Sequence, residues 1–126
     1  MEKYKELFEA ALAAAEYAYA PYSDFKVGAA LLTDTGEVFT GVNVENASYG
    51  ATICAERVAI VKAVSQGFRR FCALAVASPG GKAPPCGVCR QFLFEFGGDT
   101  LVIIGEDGEH LDIRPIRELL PEGFRL

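Results

Sequence analysis

Residues 84–89 read Pro-Pro-Cys-Gly-Val-Cys, and no other stretch limits the possible folds of this chain as much. Cys86 and Cys89 stand three apart at the start of a stretch, 86–96, that reads as a short helix ended by Gly97 and Gly98. Their thiols then share one helix face and can grip a single metal ion. The prolines suit a position just ahead of a helix, where no N–H is needed. A redox pair remains an alternative, but its usual setting is a βαβ unit near the N-terminus of a thioredoxin-like fold. Here the pair lies late in the chain, and a third thiol, Cys54, opens the preceding helix in Thr52-Ile53-Cys54-Ala55-Glu56-Arg57. Two adjacent helices thus begin with cysteines, and their N-termini can converge on one ion.

The remaining elements follow from periodicity and turn residues. Leu7, Phe8, Ala11, Leu12, Ala15 and Tyr19 recur at helical spacing, which predicts a first amphipathic helix that stops before Pro21. Residues 26–33 and 37–46 flank the turn Asp34-Thr35-Gly36 and read as a β-hairpin. The first of these strands is apolar on both faces, as in a sheet covered on both sides. Residues 51–67 read as a helix with a glycine stop, and 71–78 as a fully buried third strand. Two more strands, 100–105 and 109–114, precede a last short helix at 116–120. Only Glu106-Asp107-Gly108 joins those two strands, a link short enough for antiparallel pairing and too short for a parallel crossover. The expected architecture is α/β: a three-layer α/β/α sandwich with a mixed five-stranded sheet, in one domain spanning residues 1–126.

Charge bears on partners and compartment. A net charge of −5 with no basic cluster argues against nucleic acid as a partner, since phosphate binding needs concentrated Lys and Arg. The first residues carry charges where a signal peptide needs an apolar stretch, and the apolar run 71–77 is too short to span a bilayer. A cytoplasmic chain with no membrane partner and with reduced thiols is the expectation.

Three sulfur ligands leave one position of a tetrahedral ion open, as in a catalytic zinc site. Cys72, within the apolar run, reads as a buried thiol acting as a small hydrophobe, and His110, between charged residues, as a surface side chain. Three thiolates on Zn²⁺ leave a charge of −1, which weakens the Lewis acid. Two helix N-termini, each carrying roughly half a positive charge, offset part of it. Arg57 is either an ordinary exposed helix residue or a guanidinium laid against the sulfurs, and beside three thiolates the second reading is adopted. Glu56 lies in the first turn after Cys54. A carboxylate there is an ordinary partner of the helix dipole, worth less than ~1 kcal/mol. Facing an open metal position, it can also take a proton from water and deliver it elsewhere.

Cys54-Ala55-Glu56 followed by Pro85-Cys86-Gly87-Val88-Cys89 closely resembles the signature of the zinc-dependent cytidine deaminases, and the resemblance covers nearly the whole chain. Cys54 stands where many relatives carry histidine, and a cysteine there resembles the short, all-cysteine branch, which is homotetrameric. The resemblance implies one zinc per chain on Cys54, Cys86 and Cys89, with Glu56 as the non-ligand acid/base. It implies deamination of cytidine and 2′-deoxycytidine in pyrimidine salvage: zinc-activated hydroxide attacks C4, Glu56 moves the protons, and ammonia leaves. It puts Asn43 and Glu45, which as residues share one face of a strand, on the ribose 3′-hydroxyl. It puts Phe25 against the pyrimidine ring, where the residue alone reads nearly as well as core, and the Ala55 N–H on the base. It also brings Tyr49 and Phe124 into the active site of a neighbouring chain, although a terminal aromatic could equally pack on its own core. Rival readings are a deaminase of another cytosine-containing small molecule, such as an aminoacylated nucleoside antibiotic, and a nucleic-acid-editing deaminase. The latter is disfavoured by the acidic charge and the short final link. A structural zinc module would need Cys72 or His110 as fourth ligand.

Overall fold

The structure, a computed structural model, describes residues 2–126. The turn at Asp34–Gly36 joins β1 (Gly28–Thr33) to β2 (Val38–Val42), with Gly28 opposite Val42 and Leu32 opposite Val38. The other edge of β1 pairs antiparallel with β3 (Phe71–Ala77). β4 (Leu101–Gly105) runs parallel to β3, and β5 (Leu111–Pro115) returns antiparallel across the short Glu106–Gly108 link, as expected. The sheet order is β2-β1-β3-β4-β5. Its single parallel pair needs a crossover, and α3 (Gly87–Phe94) lies in that connection.

Helices cover both faces because both faces are apolar. On one side α1 (Glu2–Ala14) sets Leu7, Phe8 and Ala11 against Ala30, Ala73, Ala75, Ala77 and Ile103. The alanines let the helix lie close, and a β-carbon on Gly28 would stand 1.9 Å from the Ala11 carbonyl oxygen. On the other side α2 (Ala55–Ser65), α3 and α4 (Ile116–Leu119) bury Ala59, Ile60, Leu93 and Ile116 against Leu31, Leu74, Val76 and Val102. The α/β architecture with a mixed five-stranded sheet is therefore present. Gly67 follows the end of α2 and Gly97 the end of α3, with φ angles of 99° and 129° that only glycine adopts freely. No helix among the described residues is long and apolar enough to cross a membrane.

Several expectations are corrected. α1 gives way after Ala14 to a 3₁₀ turn at Ala15–Tyr17, and α2 begins at Ala55, not at residue 51. The third strand is not buried throughout: Cys72 is exposed while the other residues of β3 are buried. Its cause is a β-bulge. Leu32 pairs with Ala73 and the next residue, Thr33, pairs with Phe71, so Cys72 is left without a partner and turns outward.

Candidate functional site

Cys54 and Cys86 each occupy the last extended residue before a helix, with φ −73° and ψ 155° or 169°. Neither thiol caps its own helix. Instead Cys54 Sγ lies 3.8 Å from Cys86 Sγ, which lies 3.3 Å from Cys89 Sγ on the first turn of α3. All three sulfurs fall within 4.8 Å of one another, the one such cluster of three or more potential metal ligands among the described residues. Zinc–sulfur bonds of about 2.3 Å at tetrahedral angles put sulfurs roughly 3.8 Å apart, so the spacing fits zinc with little adjustment. The donor set fits as well, since thiolates favour zinc over harder cations.

Backbone ties hold both cysteines in place. Val44 exchanges hydrogen bonds with Ile53, at 2.9 and 3.0 Å, and so fixes the residue before Cys54. Arg90 donates through Nε to the Pro85 carbonyl and through Nη1 to the Leu119 carbonyl, both at 2.9 Å, tying the approach to Cys86 onto α4.

Charge and burial act in opposite directions on Cys54 and Cys89. A hydrogen bond from Cys89 and another from Arg57 pull the Cys54 thiol down to about 5. The same bond to Cys54, with burial and the nearby Glu56 charge, pushes the Cys89 thiol well above its ordinary value. Arg57 does lie against the sulfurs: its Nη2 donates to Cys54 Sγ at 3.6 Å and to the Thr52 carbonyl at 3.5 Å. Its Nε is buried without a protein partner. Glu56 is only 4% exposed. Burial first, and the Cys54 thiolate second, push its carboxyl up to about 7. A carboxyl poised there can both accept and return a proton near neutrality.

A cavity of about 360 Å³ opens over Cys54, Ala55 and Glu56. Phe25 lines it, 38% exposed and outside any strand, so it is not a core residue. Its ring lies close to Gly80, where a β-carbon would stand 2.9 Å away. Asn43 and Glu45 line the cavity too, although the regular strand ends at Val42. The chain beyond it stays extended through bridges from Val44 to Tyr19 and to Ile53. The polar groups of both residues are engaged. Asn43 Oδ1 accepts from the Val27 N–H and its Nδ2 donates to the Phe25 carbonyl, both at 2.9 Å. Glu45 accepts from the N–H groups of Tyr22 and Ser23 and from the Ser23 hydroxyl. Ser23 was not singled out by sequence, but a signal existed: serine in a turn, two residues before Phe25, commonly bonds a backbone N–H two residues on.

Tyr49 and Phe124, expected at a neighbouring chain's site, do not line this cavity. Tyr49 sits in the 3₁₀ turn Tyr49–Ala51, 78% exposed, its ring edge-on to Tyr22 at 6.1 Å. Phe124, 64% exposed, lines a different and larger cavity of about 590 Å³ on the outer side of α3, with Val88 and Phe92. That larger cavity is lined by no thiol, whereas Cys54, Glu56 and Cys86 line the smaller one. His110 bonds Asp107 at the surface, as expected.

Comparison with known proteins agrees with this geometry. The family described as "Cytidine and deoxycytidylate deaminase zinc-binding region" matches residues 1–105. A cytidine deaminase of Halalkalibacterium halodurans is 48% identical over 120 residues, covering 94% of this chain and 91% of its own. A cytidine deaminase crystal structure from Burkholderia pseudomallei superimposes with a TM-score of 0.89 at 48% identity, covering 94% of this chain and 97% of that one. A blasticidin-S deaminase of Bacillus cereus is 37% identical over 111 residues, or 79% of each chain. With a three-thiol centre that fits zinc and a buried glutamate beside it, the chain belongs to the cytidine and deoxycytidylate deaminase zinc-binding family.

Proposed function

We propose that residues 1–126 form a single catalytic domain that hydrolyses cytidine and 2′-deoxycytidine to uridine and 2′-deoxyuridine, releasing ammonia. The observation that carries this reading is the placement of Glu56, buried beside three converging thiols under a cavity whose wall presents Asn43 and Glu45. One zinc per chain, held by Cys54, Cys86 and Cys89, supplies a Lewis acid that makes water nucleophilic near neutral pH. Glu56 takes the proton from the attacking water and places it on N3 of the base. It then helps deliver a proton to the departing amine as the C4–N bond breaks, so the elements of water are balanced by uridine and ammonia. Arg57 offsets thiolate charge at Cys54. The Ala55 N–H, at the start of α2, and the Phe25 ring hold the base, while Asn43 and Glu45 receive the ribose 3′-hydroxyl.

The same reading makes the protein a cytoplasmic homotetramer serving pyrimidine salvage, with no nucleic-acid or membrane partner. Tyr49 and Phe124 then complete a neighbouring chain's site, which is supported by their exposure and by their absence from the cavity of their own chain. A second reading, deamination of an aminoacylated cytosine nucleoside, is favoured by the likeness to the blasticidin-S deaminase. Ammonia release across cytidine, 2′-deoxycytidine, free cytosine and blasticidin S separates the two. Free cytosine should be a much poorer substrate than cytidine, because the groups that pair the sugar hydroxyl are then left unsatisfied. Faster turnover of blasticidin S than of either nucleoside would overturn the first reading.

A further inference from the structure

Glu45 reaches the cavity with a carboxylate that offers about four acceptor sites. One short turn occupies three of them. Oε1 accepts from the Tyr22 N–H at 2.9 Å and the Ser23 N–H at 3.1 Å, and Oε2 accepts only from the Ser23 hydroxyl. Having spent its single proton on Glu45, that hydroxyl oxygen accepts the Phe25 N–H at 3.1 Å. Ser23 therefore joins the acid on one side of the cavity to the backbone of the aromatic beside it, and it lines the cavity with both.

We infer that Ser23 is a positioning residue for the sugar end of the substrate, acting through Glu45. Without the hydroxyl, both remaining bonds to the carboxylate fall on Oε1, so the group can pivot about that oxygen. Its fourth acceptor site then loses its fixed aim at a substrate hydroxyl. Phe25 loses the bond to its N–H in the same step. Ser23 is itself exposed, so removing its hydroxyl opens no hole in the core. The inference rests on the proposed function, in which Glu45 receives the 3′-hydroxyl of a cytosine nucleoside.

The test compares kcat/KM for cytidine and 3′-deoxycytidine in the zinc-loaded wild type, Ser23→Ala and Ser23→Thr. Ser23→Ala should lose about tenfold or more on cytidine, the scale of a hydrogen bond made by a charged group. It should lose no more than about twofold on 3′-deoxycytidine, where the sugar partner is already missing. Ser23→Thr, which keeps the hydroxyl, should retain the wild-type ratio between the two substrates. Equal losses by Ser23→Ala on both substrates would overturn the inference while leaving Glu45 at the sugar. A wild type that turns over both substrates equally would overturn the sugar placement, and the inference with it. If Ser23→Ala does not fold, Ser23→Cys keeps a similar shape with a weak donor and is judged by the same outcomes.

Discussion

Gly41 lies in β2 directly beneath the first turn of α2, and replacing it with alanine should disable the enzyme without touching a reacting group. A β-carbon there would stand 2.5 Å from both the Ala55 carbonyl oxygen and the Ala59 nitrogen, and 3.0 Å from Val58 Cβ. Ala55 and Ala59 stand four apart in the first turn of α2, the spacing of a helical hydrogen bond, so the methyl would press between the carbonyl and N–H of that pair. Restoring ordinary contact requires α2 to rise by roughly 1 Å. Overpacking of this kind costs about 1–3 kcal/mol, or roughly 4 °C of melting temperature per kcal/mol in a chain of this size. The effect on activity should be larger than the effect on stability, because Cys54, Ala55 and Glu56 all move with that turn. Misplacing catalytic groups by about 1 Å can cost around 10²-fold. The assay is ammonia release from cytidine per zinc-loaded chain, measured well below the melting transition so that every chain counted is folded. A fall of about 10²-fold in kcat/KM with one zinc still bound is the expected result. An activity within threefold of wild type, at an unchanged melting temperature, would show that α2 does not take its height from Gly41.

Glu56→Ala should keep the fold and one zinc per chain yet lose about 10²–10⁴ in rate or more, and retention of a tenth of the activity would remove Glu56 from the proton transfers. Cys72→Ser, at an exposed bulge position, should change stability by no more than about 0.5 kcal/mol and leave zinc content unchanged; a loss of zinc would mean a fourth thiol in the site. Glu45 is held below its ordinary value of 4.5, chiefly by the Ser23 hydroxyl, so its contribution to stability is present above pH 4.5 and is lost as pH falls through the lowered value. The melting-temperature gap between wild type and Ser23→Ala should accordingly narrow from pH 7 to pH 3, and a constant gap would contradict that linkage. Glu56→Ala and Phe124→Ala chains refolded together should give more activity than the sum of the two parents if Phe124 serves a neighbouring chain. Strict additivity in verified mixed tetramers would return Phe124 to its own chain's site, or to none.

The metal centre was legible because its signals are local. Cys54 and Cys86 precede helices followed by glycines, Cys89 follows Cys86 at helical spacing, and Glu56 shares the first turn with Arg57. Each of those relations spans a few residues, so helix geometry places Cys54 with Glu56 at one helix start and Cys86 with Cys89 at another, while the meeting of the two starts, 32 residues apart, is a matter of tertiary structure. The order of the last two strands was legible for the same reason, since a three-residue link permits only one direction. What escaped the sequence depends on partners far along the chain. The outward turn of Cys72 follows from a register shift between β1 and β3, and no local pattern in β3 announces it.

The cavity wall is assembled from separate segments: the turn at Tyr22–Phe25, the extended stretch at Asn43–Glu45, and the start of α2. Alternation along a strand correctly placed Asn43 and Glu45 on one side. It could not tell that their polar atoms would be shared with backbone about twenty residues away. That sharing gives the site its rigidity. A carboxylate and a carboxamide that reached the cavity unsupported would have to be ordered by each arriving substrate, at a cost of about 0.5–1.5 kcal/mol per side chain. Here Asn43 and Glu45 are already held by Val27, Phe25, Tyr22 and Ser23, so that cost is met on folding. The same bonds that hide this wall from sequence reasoning are the ones that hold it rigid, as the proposed recognition of a sugar hydroxyl requires.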